Sequence, residues 1–468
     1  MNNNILYMLY MSSNFDFDVI IVGGGPAGVS SAISIAKNGF KVVIIDKKKR
    51  NDIGEKTCGD AIDKAALMRV KDKIGIELPF ENEISDVISK MSIAANDIDT
   101  KVSLDAPGYQ IKRLEYGQRL LKEASDLGVV IIPNSPVRGI IYENGYINGV
   151  TYYENSIKKE LRAKFTIDAS GAYAVIRKSL PDELLVDGMT KSLSDDQVWP
   201  TYREIIKLRD DKKSHNFKEE IVLMFDDDYP PPGYFWIFSE GEGYLNIGIG
   251  WEKTQNLGKL KDKLRFELGK YYKREDYEVI KKGGGQIPFR PPFDSLVFNG
   301  GALAGDAACM VHPVTAEGHG PALDTGVNLG LTISNALKND RRDKESIWDY
   351  NLSVAKHYGR KHMEAHMMKL MLRNIGGNGL KFLIKRDILS DEQLNLIFAG
   401  EELGDAVTNY ELIKKIIKLL YKPKLLWELV KLIKGLRKVD EIYLEYPIES
   451  IELKNWRRKR NSLLGVKF

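Results

Sequence analysis

The fold is decided by one stretch, Asp18-Val-Ile-Ile-Val-Gly-Gly-Gly-Pro-Ala-Gly28, and by the apolar run Lys41-Val-Val-Ile-Ile-Asp46 that follows it. Asp18–Val22 is continuously apolar after its first residue, as a parallel strand covered on both faces must be. Between the two runs lies the small-residue stretch Val29-Ser-Ser-Ala-Ile-Ser-Ile-Ala-Lys-Asn-Gly39, helical in pattern and closed by a glycine. Strand, glycine turn, helix and strand then occupy about 30 residues, the size of one βαβ unit. Gly23 permits the tight turn, Gly25 lets a diphosphate reach the backbone, and Gly28 lets the helix lie close to the strand. The diphosphate would rest on the helix N-terminus, and Asp46 would accept from a ribose hydroxyl. A dinucleotide site is therefore expected here.

Working outward, the chain has 468 residues, 43% of them hydrophobic, with 69 Lys plus Arg against 65 Asp plus Glu. That length predicts two or three domains with ample core. Near-balanced charge gives no overall case for nucleic acid, and none is expected as a partner. Two cysteines exclude a disulfide-framed scaffold and favour a reducing, cytoplasmic setting, although spacing leaves a Cys58–Cys309 bridge open. No apolar run approaches the ~20 residues of a spanning helix. Residues 1–14 read as a poorly ordered tail.

Two further strands end in turns suited to the same ligand. Phe165-Thr-Ile-Asp-Ala-Ser-Gly171 is followed by Arg177, and Val297–Ala304 runs into Gly305-Asp306-Ala-Ala308. Three such elements exceed what a nicotinamide-only module uses, and their separation makes the nucleotide domain discontinuous. It is expected over 15–85, 105–185 and 290–345. A mixed or antiparallel β-sheet domain is expected over 86–104 and 186–289, and a helical region over 346–468. Within 139–165, Asn144-Gly145 and Asn148-Gly149 suggest two hairpin turns and a β-meander. Tyr116–Gly128 reads as a helix and Gly128–Ile132 as the strand after it.

The order of these elements resembles FAD enzymes of the class that includes aromatic hydroxylases and geranylgeranyl reductases. Two motifs sharpen the likeness: Lys56-Thr-Cys-Gly-Asp-Ala61 after the second strand, and Pro231-Pro-Gly-Tyr-Phe-Trp-Ile-Phe238. The second is similar to the P-x-x-Y-x-W-x-F core of the geranylgeranyl reductase family, with Ser239 where the family usually has proline. Glu445-Tyr-Pro447 and Trp456-Arg-Arg458 also look like archaeal members, which saturate isoprenoid chains of membrane lipids. The resemblance implies an α+β chain with a Rossmann-like FAD domain of the aromatic-hydroxylase type. It implies that Ala27, Gly28, Asp46 and Lys47 hold the AMP half and that Val137 gives a backbone contact to adenine. It places Cys58, Gly59, Ala61 and Arg113 by the flavin ring, Gly305 and Asp306 at the ribityl or diphosphate, and Gly318 and His319 at the pyrimidine end. Relatives often carry a glycine run where this chain has Ala316-Glu317-Gly318-His319-Gly320, so side chains occupy space at 316 and 317.

Other interpretations compete residue by residue. Cys58 could be a small packed thiol. Tyr234, Trp236 and Phe238 alternate as one strand face does, so an ordinary aromatic core rivals a substrate-tunnel wall. Lys47–Arg50 alone reads as a solvated loop. His312 and His319 lack the company of metal ligands, and His357, His362 and His366 suit a solvated helix face. Residues 411–438 carry nine basic and two acidic residues among apolar ones, and Pro423 divides them into two amphipathic helices. That basic face suits an anionic membrane. The leading function is flavin-dependent reduction of geranylgeranyl C=C bonds, with electrons from a ferredoxin-like donor or NAD(P)H. An FAD monooxygenase, a reductase of a quinone polyprenyl chain and a non-enzymatic prenyl carrier are the alternatives. For the proton that saturation requires, Cys58, Glu317 and His319 are the candidates, with Tyr234 and Trp236 as cation-stabilising walls.

Overall fold

A computed structural model describes residues 15–185, 188–212, 217–229, 232–255, 258–392 and 419–466. The expected tail, Pro231 and residues 411–418 of the basic segment lie outside them. The opening unit forms as predicted: β1 (Phe17–Val22), α1 (Pro26–Lys37) and β2 (Val42–Ile45). β1 pairs in parallel with β2 and, on its other side, with β9 (Ile157–Asp168). β6 (Val130–Ile132) extends the sheet beyond β2, and β16 (Gly301–Leu303) extends it beyond β9, both in parallel. β15 (Val297–Phe298) closes the edge, and β7 (Val137–Glu143) and β8 (Tyr146–Glu154) continue antiparallel from β9. The three expected turns thus leave the same ends of the adjacent strands β1, β9 and β16, where open α/β sheets take their ligands.

The β-meander is present, but one of its turns differs. Asn144-Gly145 makes the first hairpin, whereas Asn148-Gly149 lies inside β8 and the second turn is Asn155-Ser156, both at positive φ. Gly149 at φ +149 sits where a Cβ would meet the Leu161 carbonyl oxygen at 2.1 Å, so that glycine marks close strand approach rather than a turn.

The second sheet has the order β14 (Tyr277–Pro288), β10 (Val198–Leu208), β13 (Tyr244–Gly250), β12 (Tyr234–Ser239), β11 (Glu220–Phe225), β4 (Ile84–Ala95), β5 (Lys101–Ile111), β3 (Ala61–Asp63). It therefore claims 61–63, 84–85 and 105–111, which the expected division left in the nucleotide domain. The reason is β-pairing: β5 forms a hairpin with β4 and carries β3 on its other edge. One face packs Phe235, Ile237 and Ile247 on the helix Leu260–Leu268. The other buries Tyr234, Trp236, Phe238, Leu223 and Phe225.

The longer helices after α1 are α2 (Lys64–Ile74), α3 (Arg113–Asp126), α4 (Leu260–Leu268), α5 (His319–Lys338), α6 (Arg360–Lys385), α7 (Pro423–Leu444) and α8 (Leu453–Leu464). α6 is broken at Gly376, φ +69, where Asp227 accepts from the Gly377 and Asn378 amides. The solvated-face expectation fails for two histidines: His357 is exposed, but His362 and His366 are buried. α6 runs between the aromatic sheet face and α7, so both its sides are covered.

The serines of α1 are explained by its partner α5. Ser30, Ser31 and Ser34 hydroxyls donate to the carbonyls of Leu323, Gly326 and Val327. A Cβ on Gly326 or Gly330 would stand 2.2 Å or 2.5 Å from those serines, so the helices touch closely. The paired residues ascend together, so the helices run parallel and both N-termini open at one place.

Candidate active site

That place is the cradle in which the sequence leads one to expect a dinucleotide. Neither α1 nor α5 has an acidic residue in its first turn, or a side chain capping its N-terminus. Their amides and dipoles are left for an anion. Gly23, φ +106, presses on Ala169: a Cβ there would lie 2.4 Å from the Ala169 oxygen. At Gly28 a Cβ would lie 1.9 Å from the Gly23 oxygen, whereas at Gly25 it would meet nothing within 4 Å. Two motif glycines are thus required by packing, and the third faces open space that a diphosphate fits. Asp46 accepts from the amides of Gly24 and Lys48, each at 2.8 Å, which pins it beside the turn. Val137 follows Asn134–Ser135, whose amides bond the Lys48 and Asp46 carbonyls. Lys47 rests over the Tyr173 ring at 3.4 Å.

The other turns converge on the same point. Gly305 (φ +58) packs on Ala27, and Gly318 lies against Val311 and Asp306. Lys56 binds Asp306 at 2.7 Å, joining the Cys58 turn to them. A pocket beside Gly24, Gly25 and Pro26 is closed by Arg113, Tyr116 and His319. His319 stacks edge-on with Tyr116, and its Nδ1 is buried without a hydrogen-bond partner. Burial holds its imidazole far below the usual range, so it is neutral. Tyr116 and Gly54 are components that the motifs did not single out, and Lys56 is a motif residue to which no role was given. Gly54 and Gly117 pack backbone to backbone, and a glycine inside a helical stretch was the available signal.

Cys58 and Cys309 are free thiols, which excludes the bridge left open by spacing. The Cys58 thiol donates to Asp60 Oδ1 at 2.8 Å, and the Asp60 amide donates to Sγ at 3.2 Å. Asn246 Nδ2 donates at 3.1 Å to the Cys58 carbonyl, to Asp60 Oδ2 and to Glu240 Oε1. Trp236 Nε1 donates to Asn246 Oδ1 at 3.1 Å. Arg203 stands 3.6 Å from Asp60 Oδ2. Burial, then the Asp60 charge, push the thiol up to about 12, while burial raises Asp60 to about 6 against the opposing pull of Arg203. Asp60, Arg203, Glu240 and Asn246 come from three separate regions of sequence, and no local pattern unites them.

The aromatic face meets this network directly. Phe238 covers Gly59, where a Cβ would strike its ring at 2.5 Å. Trp236 lies across Gly248 of β13, whose Cβ would come within 2.0 Å of the indole. Tyr234 donates to the Thr315 carbonyl at 3.0 Å, tying the wall to the loop before Glu317. Ser239, in the place of the family's proline, donates to Asp86 of β4.

The five candidates for chemistry divide. Tyr234, Trp236 and Cys58 form one continuous set, His319 lines the pocket beside Gly24 and Gly25, and Glu317 turns toward the start of α2. Ala316 takes φ +57, the conformation a glycine would supply, and the Glu317 carboxyl lies beside Gly320 and Asp63. Burial and the Asp63 charge raise that carboxyl to about 7. Its folded value exceeds its unfolded one, so stability falls as pH rises from about 4.5 to 7, by about 3 kcal/mol. Glu317→Gln should remove that loss: the variant gains on the parent at pH 7.5 but not at pH 4, measured by chemical denaturation. Parallel pH profiles would mean the carboxyl is not buried.

Among the described residues no cluster of His, Cys, Asp and Glu could hold a metal. Two family models match. Residues 18–178 match FAD dependent oxidoreductases, and residues 201–287 match the geranylgeranyl reductase catalytic domain. The chain is 29% identical to digeranylgeranylglycerophospholipid reductase of Sulfolobus acidocaldarius, over 96% of this chain and 97% of that one. It is 26% identical to the protein of that name from Thermoplasma acidophilum, over 86% and 99%. Among solved structures, a geranylgeranyl bacteriochlorophyll reductase-like protein of T. acidophilum aligns over 89% of this chain and 99% of that one. Its TM-score is 0.74 at 23% identity. A flavin-dependent brominase shares the fold at a TM-score of 0.64 and 17% identity, covering 81% and 93%. The cradle and the first match make the molecule an FAD-dependent oxidoreductase. Its second sheet, with the aromatic strand at its centre, carries the stretch that matches the geranylgeranyl reductase catalytic domain, and the chain is similar over nearly its whole length to a digeranylgeranylglycerophospholipid reductase.

Proposed function

We propose that this protein saturates C=C bonds in the geranylgeranyl chains of a membrane-lipid precursor, as its relatives' names describe for them. The observation that carries this is the direct junction between the Cys58 turn and a wholly buried aromatic strand. Gly25 and the N-termini of α1 and α5 would take the diphosphate of FAD, Asp46 the adenosine ribose, and Asp306 the ribityl side. Cys58, Gly59 and Gly318 would border the ring. Bound and reduced, FAD supplies hydride. An isolated trisubstituted alkene is not electrophilic, so protonation with development of tertiary cation character must accompany that delivery. The protein's part is to exclude water and to face the cation with electron-rich rings, here Tyr234 and Trp236. Anaerobic incubation of reduced enzyme with geranylgeranyl lipids, followed by mass spectrometry, tests the proposal. Two hydrogens gained per bond are expected; gain of an oxygen would mean a monooxygenase, and no change in any prenyl lipid would defeat it. Comparing reduced ferredoxin with NAD(P)H as reductant identifies the electron donor.

The substrate is a lipid, and α7 offers a route to it. No helix among the described residues is long and apolar enough to cross a membrane. The buried stripe of α7, including Leu425, Leu436, Val439 and Ile442, packs against the protein. Its other face shows Trp427, 65% exposed, followed at helical spacing by exposed Lys431, Lys434 and Lys438, with Leu420 and Tyr421 just ahead. Aromatic and lysine side chains together suit the interface of an anionic bilayer, at about 1 kcal/mol per nearby cation. The protein should therefore co-sediment with anionic liposomes and release at high salt. Salt-insensitive or absent binding would remove this part.

A further inference from the structure

Asp60 is an unusual residue for its position. Its backbone lies at φ +66, a region that side chains other than glycine, asparagine and aspartate avoid. That turn brings its carboxylate back onto the preceding thiol, and its amide onto the same sulfur. The carboxylate is 7% exposed and anchored on its far oxygen by Asn246. Beside it stands Arg203, 2% exposed, whose Nε and Nη1 have no hydrogen-bond partner, so its charge is directed at Asp60 alone among nearby carboxylates. A buried cation left this sparsely bonded is costly unless it stabilises a charge that comes and goes. The other charged groups facing Cys58 are Lys56 and Arg113; Glu240 faces Asp60 through Asn246.

We propose that Cys58 and Asp60 form one proton-holding unit, in which Asp60 positions the thiol and returns a proton to it. The proposal rests on the prenyl-reductase function above. The Cys58 S–H bond breaks as the alkene π pair forms the new C–H bond, and the cation so formed is quenched by the hydride of the reductase reaction. The Asp60 carboxylic acid then gives its proton to sulfur, leaving a carboxylate held by Arg203 and Asn246 until solvent reprotonates it. Asp60 is a positioning residue, since it acts through Cys58.

Asp60→Asn and Asp60→Gly both tolerate φ +66, so neither should unfold the turn. In FAD-loaded protein, the pH dependence of Cys58 alkylation by iodoacetamide is followed by peptide mass spectrometry, which separates Cys58 from Cys309. Removing the carboxylate should move the thiol's profile at least one pH unit lower, giving about tenfold faster alkylation at pH 8. The parent's steady-state saturation rate, which needs the thiol recharged for each bond, should decline as pH rises through about 6, where Asp60 loses its proton. Both variants should lack that limb and run at least tenfold slower, with substrate KM unchanged. An alkylation profile identical to the parent's would overturn the coupling. A shifted profile with unchanged turnover and unchanged pH limb would overturn the relay. Failure of the parent to saturate any prenyl lipid would defeat the function instead, while the alkylation profile still decides the pairing.

Discussion

Gly25→Val should yield a folded protein that purifies without flavin. The residue sits at the N-cap of α1 with φ −72, which any residue adopts, and a Cβ there meets nothing within 4 Å. The fold has no cause to object, and apoprotein stability should stay within about 0.5 kcal/mol of the parent. The space it fills is where a diphosphate must approach the amides of α1, so FAD affinity should fall at least 100-fold, about 3 kcal/mol. Gly28→Val is the contrast. Its Cβ would lie 1.9 Å from the Gly23 oxygen, a backbone atom held by β1 and the Ala169 turn. That variant should lose both flavin and stability. Flavin absorbance and thermal melting of the two variants check the distinction; flavin bound normally by Gly25→Val would place the diphosphate elsewhere.

Trp236→Ala should cost about 3 kcal/mol of stability and, separately, change which bonds are saturated. The indole is 7% exposed, spans Gly248, and donates to Asn246. Truncation leaves a void between Tyr234 and Phe238 and strands the Asn246 oxygen. Trp236→Phe restores most of the volume without the N–H donor, so it should recover stability more fully than product pattern. The measurement is denaturation beside product analysis by mass spectrometry. A variant that is destabilised yet gives the parent's products at the parent's rate would make Trp236 a core residue only.

The nucleotide half was legible because its determinants are local. Gly23, Gly25 and Gly28 act within a few residues of one another, and Asp46 ends the neighbouring strand. Buried parallel strands announce themselves as unbroken apolar runs. The meander was legible in outline, but Asn148-Gly149 misled: an Asn-Gly pair signals φ > 0, and here close packing on Leu161 calls for a glycine within the strand. The histidines of α6 misled for a related reason. Helical spacing shows that residues share a face, but not whether that face meets water or another helix.

Sequence alone determined the discontinuous FAD framework, the Cys58 turn and the aromatic strand, since each rests on spacing within a short segment. Only the tertiary structure decided that β3 and the latter part of β5 belong to the second sheet, because β3 pairs with β5 across a long intervening stretch of chain. It also decided that Cys58 answers to Asp60, Arg203, Asn246 and Trp236, while Glu317 and His319 face elsewhere. Burial and hydrogen-bond partnership arise where separate segments meet, and those set the proton affinity of a thiol or carboxyl more strongly than its neighbours along the chain.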